Sequence, residues 1–167
     1  MRLLKTGAIL VGSFGLFSLS VNAGEKESIS GTNKDYMTIS ETTATISDVP
    51  NHTFKQITVA WTTESSNPDW ANVRATAIEH QDIKGLDRTV HGYVTNHHPN
   101  GDVSYFSYEG AGHTTMKDGG AFERVSQGRY VQTGGTGKFK TANGAGTYTC
   151  KFAPTGGQCD WSGDIEY

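Results

Sequence analysis

The sequence predicts an all-β fold, and three features support this class. Short segments rich in threonine, valine, isoleucine and aromatic residues alternate with clusters of glycine, asparagine, aspartate and proline. No segment shows the sustained 3.6-residue periodicity of an amphipathic helix. From Cys159 to Tyr167 the chain alternates strictly between two faces, one of them largely apolar. Such spacing is typical of a β-sandwich or a β-barrel.

Residues 1–23 have the composition of a secretory signal peptide. Arg2 and Lys5 precede an apolar run from Gly7 to Leu19, and Ala23 ends a small-residue cleavage site. We expect cleavage after Ala23 and a secreted or periplasmic product. The alternative, an uncleaved membrane anchor, is disfavoured because the apolar run is short for a bilayer. Residues 24–34 are polar and aperiodic, so they are expected to form a flexible leader before a β-domain at 35–167.

The charge balance restricts the partners of the mature chain. Without Arg2 and Lys5, Lys and Arg fall from 14 to 12 against 17 Asp and Glu, which gives a net charge of −5. An acidic chain without a basic cluster does not suit nucleic acid. No second apolar segment is long enough to span a membrane. The remaining length suits one domain.

Composition predicts nine strand segments, with one short helical turn at most near residues 67–70. The segments are residues 35–42, 55–63, 72–80, 87–95, 102–110, 121–132, 137–142, 146–152 and 158–167.

The last two segments allow a specific register. If Pro154-Thr155 forms the centre of their turn, Cys150 lies opposite Cys159 and Tyr148 lies opposite Trp161. An even cysteine pair in an exported chain favours a disulfide. A zinc or redox site is the weaker alternative because there is no CxxC motif. The polar face of the last strand is expected to face water.

A second hairpin is predicted around residues 87–110. A turn from Asn96 to Gly101 separates two strand segments, and Tyr105, Phe106 and Tyr108 place aromatic side chains on both faces of the second one. One face is expected to point into a barrel, and the other towards a partner surface or a neighbouring subunit.

The same hairpin contains the candidate catalytic residues. Glu109, His91 and Tyr93 belong to paired strands, and inside an apolar barrel they could act as general acid and base groups with shifted pKa values. The competing interpretation places each of them at the surface, where charged residues usually lie. Glu109 is the preferred acid or base of this set.

Two further groups of titratable residues could carry chemistry. Arg74, Glu79 and His80 form a second possible catalytic set on an earlier strand. His97 and His98 are expected to be solvated loop residues, because neighbouring side chains in an extended chain point apart. We expect no metal and no cofactor.

A glycine-rich run near the end of the chain predicts a sharp corner. Residues Thr133 to Phe139 read TGGTGKF, which suits a bend or a close backbone approach and enters a strand rather than a phosphate-binding helix. Asn143-Gly144 is typical of a type I′ hairpin turn between residues 139–141 and 146–149.

This corner, with the segment from Gly144 to Tyr148 and the hairpin around Asn100-Gly101-Asp102 and Tyr108-Glu109-Gly110, resembles the allene oxide cyclase and dirigent group of calycin-like barrels. The resemblance covers about the second half of the chain. It implies an eight-stranded antiparallel up-and-down barrel that holds an unstable apolar substrate in a shaped cavity. It transfers no catalytic residue, because the first half of the chain does not match.

The expected function combines the resemblance with the aromatic strands. We expect a barrel that binds a small apolar or phenolic compound, either only binding it or acting as a metal-independent cyclase, isomerase or stereocontrol protein. The candidate ligand-binding residues are Trp61, Tyr105, Phe106 and Tyr108. The alternative is a non-enzymatic exported interaction protein or homo-oligomer, whose outer sheet faces bind a partner.

Overall fold

Eight antiparallel strands close into one barrel in a computed structural model that describes residues 26–167. Each strand pairs with the next along the chain, and the last pairs with the first, so the predicted up-and-down barrel is confirmed. The expected signal peptide lies outside the described residues. The strands are β1 (Lys26–Ile46), β2 (His52–Glu64), β3 (Val73–Lys84), β4 (Asp87–His97), β5 (Val103–Met116), β6 (Phe122–Gly135), β7 (Asn143–Ala153) and β8 (Gly156–Glu166).

The expectation of a flexible leader at residues 24–34 is wrong for the part that the structure describes. Residues 26–34 form the first part of β1, and Lys26 to Asn33 pair with Glu166 to Cys159 of β8. Ile29 is buried in the interior, while its polar neighbours lie on the outer face. One inward apolar residue is too weak a pattern to recognise, but the backbone hydrogen bonds to β8 close the barrel.

The predicted strand at 137–142 is also wrong. Gly137–Phe139 form a short 3-10 helix between β6 and β7, and Asn143-Gly144 begin β7 instead of forming a hairpin turn. Gly137 has φ +52°, and a Cβ there would overlap the carboxylate of Asp102. The corner itself is confirmed as a close backbone approach, because Thr136 N donates to Val103 O at 2.7 Å.

The register of the terminal hairpin is confirmed. Ala153 pairs with Gly156 across Pro154-Thr155, and Tyr148 lies opposite Trp161. Cys150 and Cys159 form a disulfide. The carboxylates of β8 lie on the outer face, as the alternation predicts.

An aromatic plug closes one end of the barrel. Trp70, in the β2–β3 loop, has 4% of its surface exposed, and its ring contacts His98, Phe139 and Trp161 edge-on at centroid distances of 5.0, 5.7 and 5.5 Å. His98 stacks on Phe139 at 4.0 Å. The core is therefore concentrated at this end, and the barrel interior remains available towards the other end.

Candidate functional site

The candidate functional site is a cavity of about 390 Å³ inside the barrel. The aromatic plug forms its floor, since Trp70 lines it together with Phe106, whose ring lies 5.7 Å from that of Trp70. Phe122, Pro154 and Gly156, from the opposite end of the barrel, surround its mouth. A volume of this size suits one small ligand. Most of the wall is apolar or aromatic, and the polar groups converge on one region of it.

Glycines in the wall create the space that the aromatic side chains occupy. The Tyr108 ring lies across Gly92 of the neighbouring strand, where a Cβ would overlap its Cζ atom. Gly92 in turn pairs with Glu79 on the next strand, so Tyr108 reaches across β4 to that carboxylate. The same arrangement recurs for Tyr148 over Gly110 and Gly128, Tyr130 over Gly146 and Gly163, Trp161 over Gly31, and Phe152 over Gly157.

A network of polar side chains on the cavity wall joins β5 to β3 and β3 to β4. The Tyr108 hydroxyl donates to Glu79 Oε2 at 2.6 Å, and Gln81 Nε2 donates to the other oxygen of the same carboxylate. Arg88 Nη1 donates to Gln81 Oε1 at 2.8 Å, and Arg88 Nη2 donates to Thr114 at 3.3 Å. The carboxylate of Glu79 is therefore held in one position by neutral donors.

Two guanidinium groups lie near the mouth of the cavity. Burial, with a contribution from neighbouring Arg124, lowers the pKa of Arg88 to about 10, and burial also lowers the pKa of Arg124. Arg124 lies over the Phe152 ring at 4.4 Å from its centroid. With Glu79, these are the carboxylate and guanidinium groups that line the cavity, which leaves one net positive charge.

The phenols of the wall are neutral hydrogen-bond donors at physiological pH. Burial raises the pKa of Tyr36, Tyr108, Tyr130 and Tyr148 above the ordinary value. The Tyr130 hydroxyl is buried and has no partner among the described residues. Since phenols that stay protonated cannot serve as bases, Glu79 is the carboxylate in the cavity that could accept a proton.

Three of the four predicted ligand-binding residues lie in the cavity. Trp61, Phe106 and Tyr108 line it. Tyr105 is 41% exposed on the outer face, because it has the opposite parity to Phe106 along β5.

The predicted catalytic set does not lie inside the barrel, which corrects that expectation. His91, Tyr93 and Glu109 all point outwards, and His91 pairs with Glu109 across β4 and β5. Arg129 Nε donates to Glu109 at 2.7 Å and forms an ion pair with it. His91 and Glu109 border a shallow groove on the outer surface. Glu109 is therefore a half-exposed carboxylate of the outer surface that is paired with an arginine.

The second predicted set is divided between the two faces of β3. Glu79 lines the cavity, whereas Arg74 is exposed and His80 borders the outer groove. Gly92 pairs with Glu79 on one side and with Tyr108 on the other, and this register brings the two side chains together. The register cannot be read from the sequence. The one sequence pattern that could have indicated the inward face of β4 is the alternation of Val90, Gly92 and Val94, which are all buried.

The two loop histidines also differ. His97 is exposed, as predicted, but His98 is 6% exposed and belongs to the aromatic plug. His98 Nδ1 lies 2.8 Å from Asp69 O, and Nε2 lies 2.8 Å from Ser104 Oγ. Those partners replace the water that a loop histidine would otherwise bind.

Comparisons with known proteins add no relative to this description. No protein-family model matches the chain, and no curated protein or solved structure matches it significantly. Within residues 26–167, no helix is long and apolar enough to cross a membrane. The same residues contain no group of three or more histidine, cysteine, aspartate or glutamate side chains that could hold a metal ion.

Proposed function

We propose that the protein is an exported barrel that binds one small apolar or phenolic compound in its interior. The cavity supports this proposal: about 390 Å³ of space is lined by aromatic rings, with a few fixed polar groups on one side. Such a wall binds a ligand through its apolar body and orients it through hydrogen bonds. The disulfide of β7 and β8 supports export to an oxidising compartment.

Calorimetric titration with 4-propylphenol tests the binding function. We expect one molecule to bind per chain, because the probe combines an apolar body with a phenolic head. Trp61→Ala should weaken binding several-fold, since Trp61 lines the cavity. Tyr105→Ala is the matched control, because Tyr105 is an aromatic residue on the outer face. Absence of binding, or equal effects of the two variants, would contradict the proposal.

A cofactor-independent cyclase or isomerase is a second candidate, in keeping with the resemblance to allene oxide cyclases and dirigent proteins. The specific observation in its favour is the Glu79 carboxylate, which faces the cavity and accepts a 2.6 Å hydrogen bond from Tyr108. A fixed base beside a neutral phenolic donor can remove one proton and deliver another. No metal is required for that chemistry.

Ligand recovery tests this second function. Small molecules that co-purify with the exported protein are identified by mass spectrometry and incubated with fresh protein. Conversion of the recovered compound should be lost in Glu79→Gln, which keeps the shape and removes the ionisation. Glu109→Gln is the control, because Glu109 lies outside the barrel. Equal turnover in Glu79→Gln and the native protein would eliminate Glu79 as the base.

The alternative of a non-enzymatic interaction or oligomeric protein depends on the outer surface. Ile78 and Tyr93 form a cross-strand pair there, and both are more than half exposed, at 51% and 57%. Exposed apolar residues that adjoin one another favour contact with a partner or a second copy. Light scattering of the purified protein tests this reading: a dimer or trimer that resists dilution supports it, and a monomer contradicts the homo-oligomer.

A further inference from the structure

We propose that the ligand has an anionic head, a carboxylate, which the paired guanidinium groups of Arg88 and Arg124 bind at the cavity mouth. This inference rests on the proposed binding function and specifies the chemical class of the ligand. The apolar body would occupy the aromatic part of the cavity, and the head would lie towards the mouth.

The first argument is the placement of two like charges together. Arg88 and Arg124 lie on β4 and β6, on either side of β5, and both line the cavity. Arg124 pairs with Thr114 of β5, and Arg88 Nη2 donates to the Thr114 hydroxyl at 3.3 Å, so both arginines adjoin the same residue of the intervening strand. Like charges that are partly removed from water repel each other more strongly than in solvent. An anion bound between the two guanidinium groups would attract both of them and so offset their mutual repulsion.

The second argument is that the nearby Glu79 carboxylate opposes the charge of the two arginines without forming an ion pair with either of them. Neither arginine forms an ion pair with Glu79 within 4.0 Å in residues 26–167, and the Glu79 oxygens already accept from Tyr108 and Gln81. Arg88 Nε is buried without a hydrogen-bond partner in the same part of the chain. Arg124 makes no hydrogen bond to the described residues and only lies over the Phe152 ring. Guanidinium donors are therefore left over on two half-buried arginines, and one of these donors, Arg88 Nε, is fully buried.

The third argument is the contrast with the rest of the molecule. The whole chain carries a formal charge of −3, yet the cavity wall has two guanidinium groups and one carboxylate. A cationic cavity in an acidic protein attracts an anion towards the mouth and away from the outer surface. Guanidinium groups hold carboxylates through parallel hydrogen bonds, which adds orientation to the attraction.

Matched pairs of probes separate the head from the body. We would titrate 4-propylbenzoate and its neutral amide, 4-propylbenzamide, and then decanoate and decanamide. Within each pair the body is constant, so the difference in affinity reports the charge of the head. We expect the carboxylate to bind about tenfold more tightly than the amide, as for one hydrogen bond to a charged group. The pair that binds more tightly shows whether the natural body is aromatic or aliphatic.

Arg124→Gln is the informative variant, because Arg124 makes no hydrogen bond that holds the barrel together. This variant should bind the carboxylate probes about tenfold more weakly than the native protein and bind the amide probes equally well. Arg124→Lys should retain part of the preference, since it keeps the charge. Arg129→Gln is the control: it alters an arginine of the same strand whose side chain lies outside and pairs with Glu109. Circular dichroism and thermal unfolding confirm that each variant is folded.

The outcomes distinguish this inference from the proposed function. A carboxylate preference that Arg124→Gln removes and Arg129→Gln retains supports the anion site. Equal affinities for carboxylate and amide in the native protein overturn the anion site but leave a cavity that binds neutral compounds. Failure of 4-propylphenol and all four of these probes to bind overturns the proposed function as well.

Discussion

At the residue scale, Gly92 shapes the candidate site because it has no side chain. Its place in the wall is filled by the ring of Tyr108, which passes over it to reach Glu79. The sequence therefore encodes the position of the Glu79 carboxylate partly through a glycine on a different strand. An aromatic ring over a glycine also restores the packing that the glycine lacks.

Gly92→Ala should displace Tyr108 from Glu79. The added methyl group would overlap the Tyr108 ring, so we expect a loss of about 1–3 kcal/mol in the free energy of unfolding and weaker binding of 4-propylphenol. Urea unfolding and calorimetry measure the two effects. Gly144→Ala is the control, because the atom nearest to its new Cβ lies 3.3 Å away. Equal stability losses in the two variants would contradict the role given to Gly92.

His98 is a second residue whose environment has a measurable consequence. Burial lowers its pKa below the ordinary 6.5, although nearby carboxylates oppose this shift. The neutral ring satisfies both partners: Nδ1–H donates to Asp69 O, and Nε2 accepts from Ser104. Ser104 Oγ already accepts from Asn96 at 3.3 Å, so a protonated His98 would leave the serine hydroxyl without an acceptor.

The native state should therefore lose stability as the pH falls through about 6.5, because the unfolded chain then binds a proton that folded His98 resists. The stability advantage of the native protein over His98→Gln should be smaller at about pH 5.5 than at about pH 7.5. Denaturant unfolding at both pH values measures it.

His52 provides the opposite control. The Asp48 carboxylate raises its pKa, so its contribution is present below the unfolded pKa and is lost as the pH rises through the folded pKa. The advantage of the native protein over His52→Gln should thus grow on acidification. A pH-independent difference for His98→Gln would refute the neutral buried ring.

The roles of individual residues were harder to predict from the sequence than the fold class. Phe106 and Tyr108 share one parity on β5, and Tyr105 and Glu109 share the other, so aromatic content could not decide which face was interior. The sequence favours Glu109 because it adjoins Tyr108 on a strand expected to pair with the one that holds His91 and Tyr93. Choosing Glu79 required the register of three neighbouring strands, which depends on contacts between residues far apart in sequence.

At the element scale, the β7–β8 hairpin is the part that local sequence determines most fully. Two independent patterns, the cysteine spacing and the alternation of β8, select one register, and Pro154-Thr155 supplies the turn. Its β1 neighbour is the opposite case. Residues 26–34 have little strand character of their own, and they become a strand because β8 offers them backbone partners.

Reduction of the Cys150–Cys159 disulfide should destabilise the barrel without opening the hairpin. The bridged residues are nine apart in sequence, and a loop of that length corresponds to about 2–3 kcal/mol in the chain-entropy model. Urea unfolding with and without reductant measures this difference. The Cys150→Ala, Cys159→Ala double variant should have the same free energy of unfolding as the reduced protein, and reductant should not change it. A double variant as stable as the oxidised protein would argue against a stabilising bridge.

At the scale of the whole molecule, the barrel has one plugged end and one accessible end. The plug assembles from separate parts of the chain: Trp70 from the β2–β3 loop, His98 from the β4–β5 loop and Phe139 from the β6–β7 connection. The all-β class was predictable, because turns and alternation are local, whereas the up-and-down barrel was expected only from the resemblance to allene oxide cyclases and dirigent proteins. The plug was not, since its members meet only after the barrel has closed.

Trp70→Ala should show how far the whole molecule depends on this plug. Removing a ring buried among four other aromatic residues should reduce the free energy of unfolding by about 3–5 kcal/mol. Denaturant unfolding gives the value. The control, Tyr93→Ala, removes an aromatic ring that is 57% exposed and should change stability far less. Comparable losses in both variants would show that the plug has no special role.

The pairing of β1 with β8 has a consequence for the order of events in the cell. Lys26 and Glu166 are neighbours in the folded sheet, so a chain made from its amino terminus cannot seal the barrel until residues 156–166 have emerged. Before then the wall that contains Cys159 and Trp161 is missing, and both β1 and β7 present bare edges. The wall of the cavity is therefore complete only when β8 has paired with both of its neighbours. A ligand that needs the whole wall could be held only after that pairing.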